Sequence, residues 1–476
     1  MGLSRRIAFN TALSFALRIA SVALGFFSLG FTTRFLGQEG FGLYSAVLAY
    51  AYIASFLGDL GLYSLMVRDI SQAQSQKEEQ ALASNIFTLR LCALLLSLGG
   101  GFLVALLFLR HESLPLLPLL IASLQYLFLG LTQVLAGIFQ KHLKIKFLAA
   151  SELFGRITTL LLLFFFIFTV QNASLLARVS LTLGAFSAGA LVIIVLNIMW
   201  ARRLVNLTIQ GDFSFWGKAI RDSFPIGLSV ALTVIYFKLD TLLLAFLRSE
   251  SEVGLYSAAY RILEVIIFFP AAFVGLLMPQ LSRFALVDKE RFWRFFKAGG
   301  EALLIATLPM SVGIYLKAED IMRFIAGQEF LSAAGALRLL SGAIFMISFG
   351  SLFSNALIAR RRQWRLASIY FVGAVFNVAA NIVVIPRWGY NGAALTTLLT
   401  EALVTITMFA SLEIRVSRRF VFSRLIPSLI STAIMSIFLL STNLSLLLSA
   451  PCAAIIYSAS LIILKGVKKE DLLLLS

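Results

Sequence analysis

Charge is scarce in this sequence. Asp, Glu, Lys and Arg together make up 13% of its 476 residues, against roughly a quarter of an ordinary soluble domain, which excludes a wholly soluble fold. Cysteine is scarcer still. Cys92 and Cys452 are the only two, and both stand inside apolar runs, so a disulfide framework and a cysteine-based zinc site are excluded. Two histidines, His111 and His142, stand apart in short connections and read as solvated loop residues rather than as metal ligands. No paired carboxylate and no histidine cluster is present to support catalysis.

What the chain has is apolar length. Hydrophobic residues form 60% of it, in recurring runs of about 20 or more, each long enough to cross a hydrocarbon core of roughly 30 Å as a helix. We place fourteen spans at 7–33, 41–66, 82–109, 114–139, 147–169, 174–200, 222–247, 253–281, 298–316, 333–359, 366–385, 391–413, 425–441 and 446–464. The first of these is too long for a signal-peptide core and lacks a small-residue cleavage site, so it reads as a span. The opening MGLSRR also fails the myristoylation pattern, because Arg6 stands where Ser or Thr is needed.

The net charge of +17 is a matter of placement. Of the 40 Lys and Arg, 27 fall in the connections on one side of the predicted membrane, 6 on the other, and 7 within spans. Cytoplasmic connections carry the excess of basic residues, so both termini are expected in the cytoplasm. Basic residues there attract anionic head groups, which makes membrane lipids the expected partners and leaves no case for nucleic acid.

The segment GLYSA occurs at 42–46 and again at 254–258, and GIFQKHLKIKFLA from Gly137 resembles ALIARRRQWRLAS from Ala356. The offsets, 212 and 219 residues, describe two halves of six helices with two helices left over. Six is even, so both halves cross in the same sense, as parallel repeats with a site between them near the midplane. The expected fold is an all-α integral membrane protein: two six-helix lobes around a central cavity, plus two C-terminal helices. The lobes are 1–200 and 222–413, joined by a cytoplasmic linker at 201–221 and followed by accessory helices in 414–476. Within the linker region, FSFWGKAIRDSF (213–224) mixes aromatics with charges and suggests either a helix lying at the interface or a plain solvated linker.

A charge at the bilayer centre costs at least ~3 kcal/mol, so charges inside spans are functional candidates by default. Arg18, Arg156, Lys238, Asp240, Arg261, Glu264 and Glu401 fall at mid-depth. Lys238 and Asp240 are about 200° apart on a helix, whereas Arg261 and Glu264, at i and i+3, share a face. Asp240 and Arg261 lie at equal depth as potential partners for one another. Glu152 and Arg156 are one turn apart and form a second candidate pair. Asp59, between Gly58 and Gly61, reads either as a helix-packing residue or as a carboxylate for ion exchange. Gly99, Gly100 and Gly101 suggest close helix packing or a bend. Cations in a dry cavity are natural partners for a phosphate, Arg through its planar fork of donors, so the substrate head is expected to be anionic.

The stretch RFLGQEGFGLYSAVLAYAYIASFLGDLGLYSLMVRDIS (34–71) resembles the N-terminal signature of the polysaccharide, or O-antigen (Wzx-type), flippases of the multidrug/oligosaccharidyl-lipid/polysaccharide exporter superfamily. KLDTLLLAFL with EVGLYSAAYRILEVIIFFPAAFVGLLMPQLSR, AGQEFLSAAGALRLL and NVAANIVVIPRWGYNGAALTTLLTEAL are similar to later stretches of that family, in the same order. The resemblance implies translocation of a polyprenyl-pyrophosphate-linked oligosaccharide from the cytoplasmic to the outer leaflet of the cell membrane, with polysaccharide polymerases as further partners. It also implies that Asp240 and Arg261 hold family positions, while Arg18, Lys238 and Glu264 stand as cavity residues on physical grounds. No cofactor is expected, and H⁺ or Na⁺ coupling through Asp240 or Asp59 is an open expectation.

Two other readings compete. A multidrug antiporter of the same superfamily would favour an acidic cavity, against the slight basic excess here. A membrane glycosyltransferase or polymerase would need acids or a metal at the outer surface. The longest outer connection, 317–332, offers only Glu319, Asp320 and Glu329.

Overall fold

A computed structural model describes residues 3–59, 61–109, 114–170, 172–412 and 424–466. Among these, every regular element is helical, as lipid demands of a chain whose backbone groups find no solvent partner. Ten of the helices are long and apolar enough to cross a membrane by length and composition. His111 and parts of the C-terminal region, 413–423 and 467–476, lie outside the described residues. By packing, the chain divides into two units, Met1–Gly254 and Leu255–Ser476.

The first unit holds α1 (Leu3–Leu57), α2 (Leu62–Gln72), α3 (Gln76–Phe108), α4 (Leu116–Lys141), α5 (Ile145–Thr169), α6 (Leu175–Arg202), α7 (Phe213–Leu247) and the first turn of α8 (Glu250–Val287). Helix α1 carries the first predicted span and most of the second, separated at Gly37, whose φ of 66° lies in the left-handed region that glycine tolerates. The second predicted span, 41–66, is not continuous. It stops at Leu57 and resumes at Leu62 after a turn. Gly61 sits there at φ 77°, and the backbone of Ser223 and Gly227 on α7 occupies the space a side chain would need.

Helix starts follow their capping residues. Ser75 accepts from the Glu78 N–H at 3.2 Å while the Glu78 carboxylate accepts from the Gln74 N–H at 2.9 Å, a reciprocal cap of the Ser-x-x-Glu kind. Asp212 caps α7 in the same sense. The connection before α7 is not a free linker. Its backbone N–H groups at Thr208, Gln210 and Asp212 donate to Ser84, Thr88 and Asn85 along α3. The segment 213–224, expected as a separate interfacial helix, instead forms the opening turns of the 35-residue α7. Phe215 and Trp216 pack with Leu62, Leu65 and Leu89, and this burial draws the segment into the bundle.

The two glycines of the GLYSA repeat meet. A side chain on Gly42 would collide with the Glu250 carbonyl and the Gly254 N–H, and one on Gly254 with the Gln38 carbonyl and the Gly42 N–H. Small residues permit such backbone-to-backbone approach where no hydrophobic effect drives helices together. Gly155 and Gly189 do the same between α5 and α6. Of the glycine triplet, only Gly101 is a packing position, against Ala54, and its carbonyl accepts from the Tyr50 hydroxyl at 2.7 Å. Gly99 and Gly100 face open space, and α3 runs through them without interruption.

The second unit continues α8 and adds α9 (Lys289–Leu316), α10 (Ala318–Ile325), a 3₁₀ turn (Gln328–Ala333), α11 (Ala334–Ala359), α12 (Gln363–Ser411), α13 (Leu425–Ser441) and α14 (Leu446–Ile463). Its core gathers Phe292, Phe296, Phe349 and Phe353 with Leu352, Leu357 and Met408. Helix α12 holds the two predicted spans 366–385 and 391–413, turned at Gly389 with φ 55°. Its halves fold back on one another, with Asn377 donating to Thr400 at 3.5 Å and an atom added at Gly373 meeting Val404. Apart from the break at 58–61, the described residues of the predicted spans lie on helices to within two residues at their ends.

Gly42→Val is expected to lower the melting temperature of the detergent-purified protein by several degrees, because backbone and not a movable side chain opposes the new atoms. Gly99→Ala is expected to leave it unchanged or raise it, since alanine favours helix by about 1 kcal/mol over glycine.

Candidate functional site

Charges inside the spans fall into two groups: those locked within a packed unit, and those left on its half-exposed faces. Asp59 belongs to the first. It lies on the turn between α1 and α2, where unwinding frees backbone carbonyls, and Arg90 of α3 fills that gap. The Arg90 guanidinium donates to Asp59 Oδ1 at 2.5 Å, to the Gly58 carbonyl at 3.0 Å, and also to Gly130 O and Gln133 Oε1. Its side chain is 3% exposed and that of Asp59 11%. The planar fork of Arg meets several acceptors at once, which an ammonium group cannot do in this geometry. The sequence sets Arg90 among the seven basic residues within spans but does not join it to Asp59; a mid-helix Arg near a Gly-Asp-x-Gly turn is the signal that points to the pair.

The second group begins with Arg18. It lies on the exposed side of α1 and acts electrostatically, with Arg156, on Glu152 of α5. The expected Glu152–Arg156 pair is thereby a cluster of two cations about one half-buried carboxylate. Lys238 of α7 is half-buried, with Nζ 5.7 Å from the centre of the Tyr52 ring. Tyr52 in turn lies against Tyr126, with centroids 5.3 Å apart. A cation over an aromatic face gains from the ring's quadrupole and more so away from water. Asp240, two residues on, is 2% exposed, consistent with the opposite faces expected for the two.

In the second unit, Arg261 Nη1 lies 3.0 Å from Glu264 Oε2, as the i, i+3 spacing predicts, with the side chains 36% and 27% exposed. Glu401 is buried. Toward the ends of their helices, Arg338 pairs with Glu319 at 2.8 Å and Glu301 lies 3.9 Å from Lys297. In the first unit the mid-span charges that keep surface exposure are mainly basic, and in the second Arg261 and Glu264 both keep some. An exposed cation at that depth is stable only against water or an anion, since hydrocarbon offers neither. Among the described residues no group of three His, Cys, Asp or Glu is arranged to hold a metal ion.

His142 departs from expectation. It is not a solvated loop residue: its Nε2 lies 2.8 Å from Glu79 Oε1, and Lys141 Nζ lies 2.8 Å from Glu79 Oε2. Glu79 is buried, so the end of α4 is tied to the first turn of α3.

Replacing Arg90 by Met is expected to destabilise the protein by ~3–5 kcal/mol, because a buried carboxylate and freed carbonyls lose their partner. The double change Arg90→Met with Asp59→Leu is expected to recover a large part of that loss, as read from melting in detergent.

The family described as polysaccharide biosynthesis protein matches residues 7–285. A protein of Haloferax volcanii, provisionally named low-salt glycan biosynthesis flippase Agl15, is 22% identical over 89% of this chain and 87% of its own. A protein of Shigella dysenteriae, provisionally named O-antigen transporter, is 23% identical over 85% of this chain and 99% of its own. The solved inward closed conformation of the lipid II flippase MurJ superposes with a TM-score of 0.78 at 16% identity, over 98% of this chain and 100% of that one, and fixes the fold. The chain belongs to the polysaccharide biosynthesis protein family.

Proposed function

We propose that the protein is a flippase, and not an enzyme, that carries polyprenyl-pyrophosphate-linked oligosaccharide units from the cytoplasmic to the outer leaflet for polysaccharide assembly. The observation that carries this reading is the set of mid-span cations that keep surface exposure, Arg18 with Arg156, Lys238 and Arg261. A pyrophosphate is the anion such groups suit, with Arg engaging its oxygens through paired donors. The rings of Tyr52 and Tyr126 beside Lys238 offer apolar faces to a sugar. The names of the two relatives, a glycan flippase and an O-antigen transporter, support the same substrate class.

In the mechanism we propose, the charged head enters among Arg18, Lys238, Asp240, Arg261 and Glu264 while the polyprenyl tail stays in lipid. Rocking of the two lobes then exposes the head to the other side. Only the polar head needs shelter from hydrocarbon, which removes the main barrier to crossing. Asp240 and Asp59 are the carboxylates considered for H⁺ or Na⁺ coupling; Asp59 is the poorer candidate because Arg90 already balances it. A polysaccharide polymerase would take up the delivered unit.

In vesicles carrying the protein, exposure of a labelled polyprenyl-pyrophosphate oligosaccharide to an externally added probe is expected to fall at least about tenfold in Lys238→Ala and in Arg261→Ala, the loss of ~1.4 kcal/mol or more from the head-group interaction. Unchanged exposure in these and in Arg18→Ala sinks the site. Orientation has its own check: Asn172→Cys is expected to react with an impermeant maleimide on intact cells, and Lys289→Cys only after permeabilisation.

A further inference from the structure

A second recess lies wholly within the second unit, apart from the charges above. A cavity of about 520 Å³ separates α9 from the α13–α14 hairpin. Small side chains open it, Ala306 and Gly313 on one wall, Ala450 and Ala454 on the other. An atom added at Gly313 would meet nothing closer than the Met435 methyl, 4.0 Å away. The spacing between the walls is held from one end. Pro309 has no N–H to offer the Ile305 carbonyl, and the Tyr457 hydroxyl of α14 donates to that carbonyl instead, at 2.8 Å.

Apolar cavities of about 150 Å³ already take up small apolar ligands. This one is over three times larger and lies between helices that face hydrocarbon, so acyl chain is the material at hand. One end of it is charged. Lys317 lines the cavity with its side chain 15% exposed, and its Nζ lies 3.4 Å from Asp320 Oδ2, whose side chain is 37% exposed. Along the path out of the cavity a cation thus comes first and an anion second. A lipid head with phosphate nearest its chains and an ammonium group beyond has the complementary order. A head that is only anionic would gain Lys317 but meet Asp320, and a quaternary ammonium has no N–H to donate to the carboxylate.

We propose that this cavity binds one zwitterionic phospholipid with a primary-amine head, a phosphatidylethanolamine. One acyl chain lies between α9 and α14, the phosphate meets Lys317 and the ammonium meets Asp320. The site is independent of what the protein transports: it holds a bilayer lipid as a part of the fold.

Native mass spectrometry of the full-length protein in detergent, titrated with phosphatidylethanolamine, phosphatidylglycerol and phosphatidylcholine of identical chains, tests this. A single bound phosphatidylethanolamine is expected at roughly fivefold lower concentration than the other two, the discrimination of one charge pair. Gly313→Phe fills the cavity from α9 and Ala454→Phe from α14. Each is expected to weaken binding at least about fivefold, and either suffices if the other fails to fold by its melting curve. Asp320→Asn is expected to move the preference to phosphatidylglycerol. Equal binding of the three lipids, or binding unchanged in both filled variants, overturns the proposal. So does displacement of phosphatidylethanolamine by an equal concentration of polyprenyl phosphate, which would assign the cavity to a substrate tail instead.

Discussion

In hydrocarbon a polar group has no solvent to fall back on, and the rest of this structure follows from that. Regular helix is the default because it satisfies the backbone internally, and each departure from it is answered by a particular side chain. The turn at Gly58–Gly61 is answered by Arg90, and the missing N–H of Pro309 by Tyr457. Short hydroxyls obey the same rule at small scale: Thr33, Thr182, Thr307 and Ser348 each turn back to a carbonyl of the preceding turn of their own helix. Such bonds cost little and let polar residues ride on buried helix faces.

The same constraint sorts the charges. A pair such as Arg90 and Asp59, enclosed and fully hydrogen-bonded, holds an irregular piece of backbone in place and has little left to give a ligand. Arg18, Arg156 and Arg261 keep part of their surface open beside the carboxylates of Glu152 and Glu264. Among the cations, burial separates the scaffold from the candidate site. That distinction also explains why the repeat survives in GLYSA: Gly42 and Gly254 are fixed by a backbone contact that admits no side chain, whereas the charged positions differ between the two halves.

Much of this was legible in the sequence because it depends on neighbours along the chain. Apolar run length revealed the spans, alternation of basic connections their expected sense, and i, i+3 spacing the Arg261–Glu264 pair. What was hidden depends on the rotational phase of one helix against another. Arg90 and Asp59 are separated by 31 residues and Glu79 and His142 by 63, and no local pattern tells which faces meet. The break inside the second span is marked in the sequence only by Gly58, Asp59 and Gly61, and the approach of α7 to Gly61 gives the turn its reason. The segment 213–224 misled for the opposite cause, since its aromatics are as fit for a bundle interior as for a membrane surface.

The bond from Tyr457 to Ile305 bears on how the chain is made. Helix α9 emerges during synthesis some 150 residues before its acceptor finds a donor, so the Ile305 carbonyl waits in the bilayer until the final hairpin arrives. Completion of α9 therefore waits on α14, and in a chain cut short before Tyr457 the Ile305 carbonyl lacks this donor.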